Sequence, residues 1–188
     1  VCISNMKQIG LACTMYADDY SEYLPGGFNG ENYSPEPWVL SLSGYVPRGI
    51  PPFPVLGSSI LKCPSNRKPQ NNITSYGPAV GEPGFGGICA GGLCNNDPAL
   101  RRLAKRTQVK YPSQTVYWVE IDNTEWTHGI TPSIWSTRFY HTIHNGGSNV
   151  LFVDGHVIWV RAEEWQSAGP TSHSWYYHFC LDYPKPQW

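Results

Sequence analysis

The chain has 188 residues, of which 40% are hydrophobic and only 14% are charged. This size suits one domain with its own core and is too small to suggest two, so a single domain is predicted over residues 1–188. Thirteen basic and fourteen acidic side chains give a formal charge of −1, and the absence of a large basic cluster argues against nucleic acid as a partner.

The first predicted element is an amphipathic helix of about five turns over residues 3–20. Its apolar residues recur at steps of three and four, which places them on one face that should dock on a sheet. The docking residues are expected to be Met6, Ile9, Cys13, Tyr16 and Tyr20, with Ile3 and Ala17 beside them. The helix should end before Leu24-Pro25-Gly26-Gly27, a strong breaker.

Leu11 and Met15 form a second, smaller apolar patch away from this face. Either a covering loop or contact with a neighbouring subunit would explain it, and both alternatives stay open on the sequence alone.

The sequence starts inside the helical pattern, since Val1-Cys2-Ile3 has no capping residue before it. We therefore expect the natural helix to begin further upstream. No stretch reaches the roughly 18 to 20 apolar residues that a membrane span needs, and no signal peptide is recognisable.

The middle of the chain shows little periodicity. Residues 35–46 predict a short helix carrying Trp38, Leu42 and Tyr45, and residues 47–113 contain ten prolines and nine glycines. A long irregular segment is therefore predicted. Its aromatic residues and cysteines indicate that it is pinned to the core and is not a linker.

Three strands are predicted near the C-terminal end, over residues 115–121, 149–153 and 156–160. Asp154-Gly155 between the last two is a strong signal for a two-residue hairpin turn. The expected cross-strand pairs are Phe152 with Val157, Leu151 with Ile158 and Val150 with Trp159. Both faces of this pair are apolar, so it should lie inside the sheet. The predicted class is α+β: a long N-terminal amphipathic helix packed on a C-terminal antiparallel sheet, with a long irregular Pro/Gly-rich middle.

Six cysteines in such a chain predict disulfides and an oxidising compartment. They are Cys2, Cys13, Cys63, Cys89, Cys94 and Cys180. Cys89 and Cys94 flank a flexible tetrapeptide and are the best pair. Cys2 and Cys13 are about 16 Å apart on one helix and cannot bridge each other. Pairing Cys2 with Cys63 and Cys13 with Cys180 is the preferred choice among the combinations that remain.

His144 and Asp154 could form an acid–base pair or contribute to a metal site, but structural roles are favoured. Asp154 in a turn can hydrogen-bond the backbone and tolerate positive φ. The ring nitrogens of His144 could tie its own loop to the hairpin. No G-x-S-x-G motif or recognisable catalytic carboxylate pair is present, so the chain is not expected to be an enzyme.

The sequence offers residues for two metal sites, but no metal or other cofactor is predicted. A zinc site would draw on Cys89, Cys94, His141 and His144. An oxidising compartment favours a disulfide over this site. A calcium site would draw on Asp122, Asn123 and Glu125, whose spacing matches no named calcium loop, so calcium stays open.

Eight tryptophans raise the alternative of a glycan-binding domain, because flat aromatic rings stack on sugar rings. Trp38, Trp118 and Trp159 are expected to be core residues. The tryptophans that remain for a binding surface are Trp126, Trp135, Trp165, Trp175 and Trp188.

Several segments resemble a large bacterial family of prepilin-type proteins. Residues 2–12, 15–20 and 24–25 resemble the stretch that follows the membrane helix in this family. His144 followed after nine residues by Asp154-Gly155 resembles the family's H-x9-DG motif. The intervening landmarks are Trp38 to Tyr45, Cys63-Pro64-Ser65, Ser75-Tyr76-Gly77 and Pro112-Ser113-Gln114-Thr115. The family often has Arg before the motif His, where this chain has Ile143, and residues 161–188 match nothing in the pattern.

The resemblance implies a pilin-like fold and a precursor with a leader, an N-methylation site and a membrane-spanning first half of the helix. The 188 residues would be the headpiece of a pseudopilin, similar to the major pseudopilin of type II secretion. Its partners would be like subunits, through Leu11 and Met15, and the secretion or pilus machinery; the isolated domain would be monomeric. The expected location is the periplasmic face of the inner membrane or the cell surface.

Overall fold

The computed structural model describes residues 1–25, 42–46, 59–66, 75–78, 105–120 and 144–161. In chain order they contain helix α1 (Cys2–Asp19), a 3₁₀ helix (Ser59–Leu61), strand β1 (Tyr76–Pro78), a second 3₁₀ helix (Arg106–Gln108), and strands β2 (Val116–Glu120), β3 (Gly147–Phe152) and β4 (Val157–Arg161). The four strands form one antiparallel sheet in the order β1-β2-β3-β4. The predicted α+β class is therefore confirmed.

Helix α1 packs most of its predicted apolar face into the core. Met6, Ile9 and Cys13 are buried in one cluster with Leu151 of β3. Gly10 permits the close approach, since a Cβ there would lie 3.0 Å from Leu151 Cδ1. Burial of a side chain such as Ile9 stabilises the fold by about 1.5–3 kcal/mol. Within the described ranges, no helix has the length and apolar character needed to span a membrane.

Two residues predicted for this face lie outside the core. Ile3 is 43% exposed and Tyr20 is 53% exposed. Ile3 points about 100° around the helix from buried Cys2 and so reaches only the rim of the interface. The helix ends at Asp19, and the ring of Tyr20 stacks on Tyr16 with 4.3 Å between ring centroids, outside the core.

The C-terminal end of α1 is tied to the middle of the chain by Arg106. Its guanidinium donates to Asp18 Oδ1 at 2.7 Å and to Glu22 Oε2 at 2.9 Å, and its backbone N–H donates to the Glu22 carbonyl at 2.7 Å. The side chains are partly exposed, so these ion pairs contribute about 1 kcal/mol or less. The contacts agree with the expectation that the irregular middle is pinned to the folded domain.

The middle also contributes a strand that the sequence did not predict. β1 pairs with β2, placing Tyr76 opposite Glu120 and Pro78 opposite Trp118. Of the helix predicted over residues 35–46, the structure describes only 42–46. These form a turn in which the Leu42 carbonyl accepts the N–H groups of Tyr45 and Val46; residues 35–41 lie outside the described part.

The register of β2 against β3 shifts by one residue between Val116 and Trp118. Such a bulge alters the strict alternation of side chains along a strand. Tyr117 and Trp118, although adjacent, consequently both belong to the core cluster. Trp118 is fully buried, as predicted.

The hairpin between β3 and β4 forms, but its predicted register is wrong by one residue. Leu151 pairs with Val157, Val150 with Ile158 and Asn149 with Trp159. Gly155 N–H donates to the Phe152 carbonyl, and Phe152 N–H donates to the His156 carbonyl, both at 3.0 Å. The loop therefore has three residues and places Gly155 at φ 90°, a common alternative to the two-residue turn. One extra loop residue shifts every cross-strand pair.

The expectation that both hairpin strands lie inside the sheet is right for β3 and wrong for β4. β3 is buried at every position, whereas β4 is the end strand of the described sheet. Trp159 is 41% exposed, so its predicted core position is wrong. With a neighbouring strand on one side only in the described sheet, β4 keeps all its residues except buried Val160 partly at the surface.

Candidate functional site

Four side chains with metal-ligating or acid–base chemistry meet near the first turn of α1. Cys2 Sγ lies 2.7 Å from Cys63 Sγ, which lies 3.4 Å from His144 Nε2, which lies 2.9 Å from Glu120 Oε1. These four atoms are all within 4.8 Å of one another. Cys2, Cys63, Glu120 and His144 together are called the four-residue cluster.

Each member of the cluster is placed by a different part of the fold. Cys2 is the first residue of α1, and Cys63 follows the first 3₁₀ helix. The side-chain amide of Asn5 donates to the Lys62 carbonyl at 3.0 Å and so holds the Cys63 segment against the helix. Glu120 is the last residue of β2, where β1 pairs with it.

Glu120 is fully buried and its carboxylate is held by the neighbouring strand. Oε2 accepts the Asn149 backbone N–H at 2.7 Å and the Ser148 hydroxyl at 3.3 Å, while Oε1 accepts the Asn149 side-chain amide at 3.2 Å. Buried carboxylates need such donors because burial removes their hydration. These bonds fix the carboxylate with Oε1 facing His144.

His144 lies in a tight turn at the start of β3. Its backbone N–H and carbonyl exchange hydrogen bonds of 3.2 Å with Gly147, and its carbonyl also accepts the indole N–H of Trp159 at 2.8 Å. The prediction that the His144 ring ties this loop to the hairpin is wrong, because the ring contacts Glu120 in β2. The backbone carbonyl of His144 instead connects the loop to Trp159 of the hairpin. About a fifth of the imidazole surface is exposed.

The cluster disfavours additional negative charge. Burial raises the pKa of the Cys63 thiol to about 12, and the hydrogen bond to Cys2 and the charge of Glu120 act in the same direction. Burial also raises the pKa of Tyr76, which lies beside these groups. A cation bound at this place would offset the negative charge of the Glu120 carboxylate and of any cysteine thiolate.

The two parts of the H-x9-DG motif make contacts in different parts of the fold. His144 contacts Glu120, whereas Asp154 Oδ1 lies 2.5 Å from His156 Nδ1 and accepts the His156 backbone N–H at 3.1 Å. The backbone hydrogen bond agrees with the predicted structural role of Asp154. Its predicted positive φ is wrong, since Gly155 adopts that conformation in this turn.

The structure brings together Cys2 and Cys63, which were predicted to pair, with 2.7 Å between their sulfur atoms and no disulfide assigned between them. The covalent bond between them stays a prediction. Cys13 is buried, and its predicted partner Cys180 lies outside the described residues. The other predicted site residues outside that part are Cys89, Cys94, His141, Asp122, Asn123 and Glu125. The zinc and calcium alternatives built on them also stay untested.

Glu120 is the cluster member that sequence analysis missed. The available signal was an acidic residue at the end of a run of β-branched and aromatic residues, Val116-Tyr117-Trp118-Val119. A carboxylate in such a strand is rarely buried without a partner, and here the partners come from β3 and from His144.

Comparisons with protein-family models, with curated proteins and with solved structures found no significant match. The resemblance to the prepilin-type family therefore depends on the sequence motifs alone.

Proposed function

We propose that this protein is a pilin-like, pseudopilin-type subunit that assembles through its N-terminal helix into a filament or a secretion-associated pseudopilus. The observation that carries the proposal is the pair Leu11 and Met15, which are 61% and 46% exposed on α1. They lie on the side of the helix opposite Ile9 and Cys13.

The geometry of α1 supports this assignment. At 3.6 residues per turn, Leu11 and Met15 lie about 40° apart on the helix, and both are exposed. The helix therefore carries apolar side chains on two sides, of which one is covered by its own domain. Covering Leu11 in a contact between helices would contribute about 1.5–3 kcal/mol per subunit.

The arrangement of the domain is compatible with a filament in which the helices form the centre. α1 lies against an antiparallel sheet through Met6 and Ile9, so the sheet can face outward while the other side of α1 meets a second subunit. Under this proposal the protein is not an enzyme. It acts at the periplasmic face of the inner membrane or at the cell surface, with like subunits and the secretion or pilus machinery as partners.

The glycan-binding alternative stays a prediction, because the five tryptophans on which it depends lie outside the described residues. The two tryptophans that the structure describes were expected in the core; Trp118 is buried and Trp159 is partly exposed. The indole N–H of Trp159 is already bonded to the His144 carbonyl.

The test is Leu11→Asp in the full-length protein in its native cells, with assembly measured as the sedimentable filament fraction after shearing. A carboxylate at this contact should reduce assembly roughly tenfold or more, because it replaces apolar contact with a buried charge. The isolated domain should keep its free energy of unfolding within about 0.5 kcal/mol, since Leu11 is exposed.

Ser113→Asp is the matched control, because it adds the same charge at an exposed loop position before β2. It should assemble as the wild-type protein does. Normal assembly of Leu11→Asp would reject this helix face as the contact, and a native protein that forms no filament would reject the proposed function.

A further inference from the structure

We propose that Cys2, Cys63, Glu120 and His144 form a binding site for one divalent metal ion of the zinc class. This site goes beyond the proposed assembly function and does not depend on it. The inference is drawn from the convergence of two sulfur atoms, one imidazole nitrogen and one carboxylate oxygen within 4.8 Å.

The donor set is typical of zinc and related transition metals. Zinc combines cysteine sulfur, histidine nitrogen and carboxylate oxygen in four-coordinate sites. Calcium and magnesium prefer oxygen ligands alone, so two cysteines argue against them. The four members come from α1, the Cys63 segment, β2 and the His144 turn, and an ion would connect these four parts of the fold.

The distances suit a small tetrahedral site whose ligand atoms move slightly apart when an ion binds. With metal–ligand bonds of about 2.0–2.3 Å, neighbouring ligand atoms in a tetrahedron lie about 3.3–3.8 Å apart. Cys63 Sγ and His144 Nε2 are already 3.4 Å apart. His144 and Glu120 need to separate by about 0.5 Å, and the two sulfur atoms by about 1 Å. Cys2 lies at the end of its helix, where a change of χ1 can supply that movement.

The surroundings of the cluster orient its ligands. Ser148 and the Asn149 backbone hold Oε2 of Glu120, which leaves Oε1 directed at His144. Hydrogen bonds of this kind orient carboxylate ligands and strengthen metal binding. Cys2, Cys63 and Glu120 are buried, whereas the partly exposed imidazole of His144 provides the side from which an ion can enter.

A disulfide between Cys2 and Cys63 is the competing use of the same atoms. Two thiolates bound to a metal and a covalent sulfur–sulfur bond cannot exist together in one molecule. The metal site therefore predicts that Cys2 and Cys63 are reduced in the native protein, which makes the two alternatives separable by experiment.

The test begins with the 188-residue chain, reduced and freed of metal with a chelator, and titrated with Co²⁺ and then with Zn²⁺. We expect one equivalent of Co²⁺ to bind, with thiolate-to-cobalt charge-transfer absorption and the strong ligand-field bands of a tetrahedral ion. Zn²⁺ should displace it and abolish these bands. Cys63→Ser and Glu120→Gln should each weaken Co²⁺ binding by at least roughly tenfold.

Two variants provide matched controls. Cys13→Ser removes a buried cysteine from the same helix, and His156→Ala removes a histidine that also lies beside a carboxylate, Asp154. Both should bind Co²⁺ as the wild-type chain does. If a cluster variant fails to fold, the wild-type titration still decides.

Folded wild-type protein that binds no stoichiometric Co²⁺, or binds it without the thiolate absorption, would overturn the proposal. So would a Cys2–Cys63 disulfide found by non-reducing peptide mapping of the full-length protein from its native cells. Zinc at one equivalent in that native protein, with both thiols reduced, would support it.

Discussion

Gly147 and Trp159 lie side by side on β3 and β4, so close that a methyl group on Gly147 would overlap the indole ring. The same indole donates its N–H to the His144 carbonyl at 2.8 Å. The glycine thus allows the ring to reach the turn that carries His144. The packing of Trp159 against Gly147 therefore helps to hold the turn that places His144 in the four-residue cluster.

Gly147→Ala should destabilise the domain by about 1–3 kcal/mol, because the added methyl group meets both the Trp159 ring and the Val160 backbone carbonyl. Urea unfolding followed by tryptophan fluorescence measures the change. Gly44→Ala is the control, since a Cβ at Gly44 has nothing within 4 Å, and its effect should stay within about 0.5 kcal/mol. Equal stability of the two variants would contradict the close contact.

Gly155→Ala tests the backbone conformation of the hairpin loop. Gly155 has φ 90°, and a Cβ there would meet no other atom within 4 Å, so any loss must come from the backbone. We expect a loss of about 1–2 kcal/mol in the free energy of unfolding. Gly155→Asn should lose less, because Asn tolerates positive φ better than Ala does. If Ala were as stable as Gly here, the three-residue loop with a left-handed third residue would be wrong.

Tyr45 should make stability depend on pH in the alkaline range. Its hydroxyl donates to Asp19 Oδ2 at 2.7 Å, which raises the pKa of Tyr45 from 10.0 to about 12. Between these values the folded chain holds a proton that the unfolded chain has lost, so this contribution is complete below pH 10 and disappears as the pH passes about 12.

The measurement for Tyr45 is the urea midpoint of wild type and Tyr45→Phe over that pH range. The stability advantage of the wild type should be constant at lower pH and should decline as the hydroxyl ionises. Asp19→Asn removes the negative acceptor and should weaken the same pH dependence. Parallel curves for wild type and Tyr45→Phe would show that the hydrogen bond has no such effect.

The sequence by itself determined the elements whose patterns are local. The three- and four-residue spacing of Met6, Ile9 and Cys13 predicts the buried face of α1, because side chains at those steps share one side of a helix. The run of β-branched and aromatic residues around Val119 predicts β2, because such side chains pack well on the pleated, partly buried surface of a sheet.

Tertiary structure decided what depends on how distant segments meet. A three-residue hairpin loop shifted the register by one and placed Trp159 opposite Asn149, because the length of a turn is set by the strands it joins as well as by its Asp-Gly signal. Cys63 reaches Cys2 across 61 positions and His144 across 81, and no local periodicity encodes such distances. Pairing of β2 with β3 places Glu120 beside His144, and burial of Glu120 requires its carboxylate to find such partners.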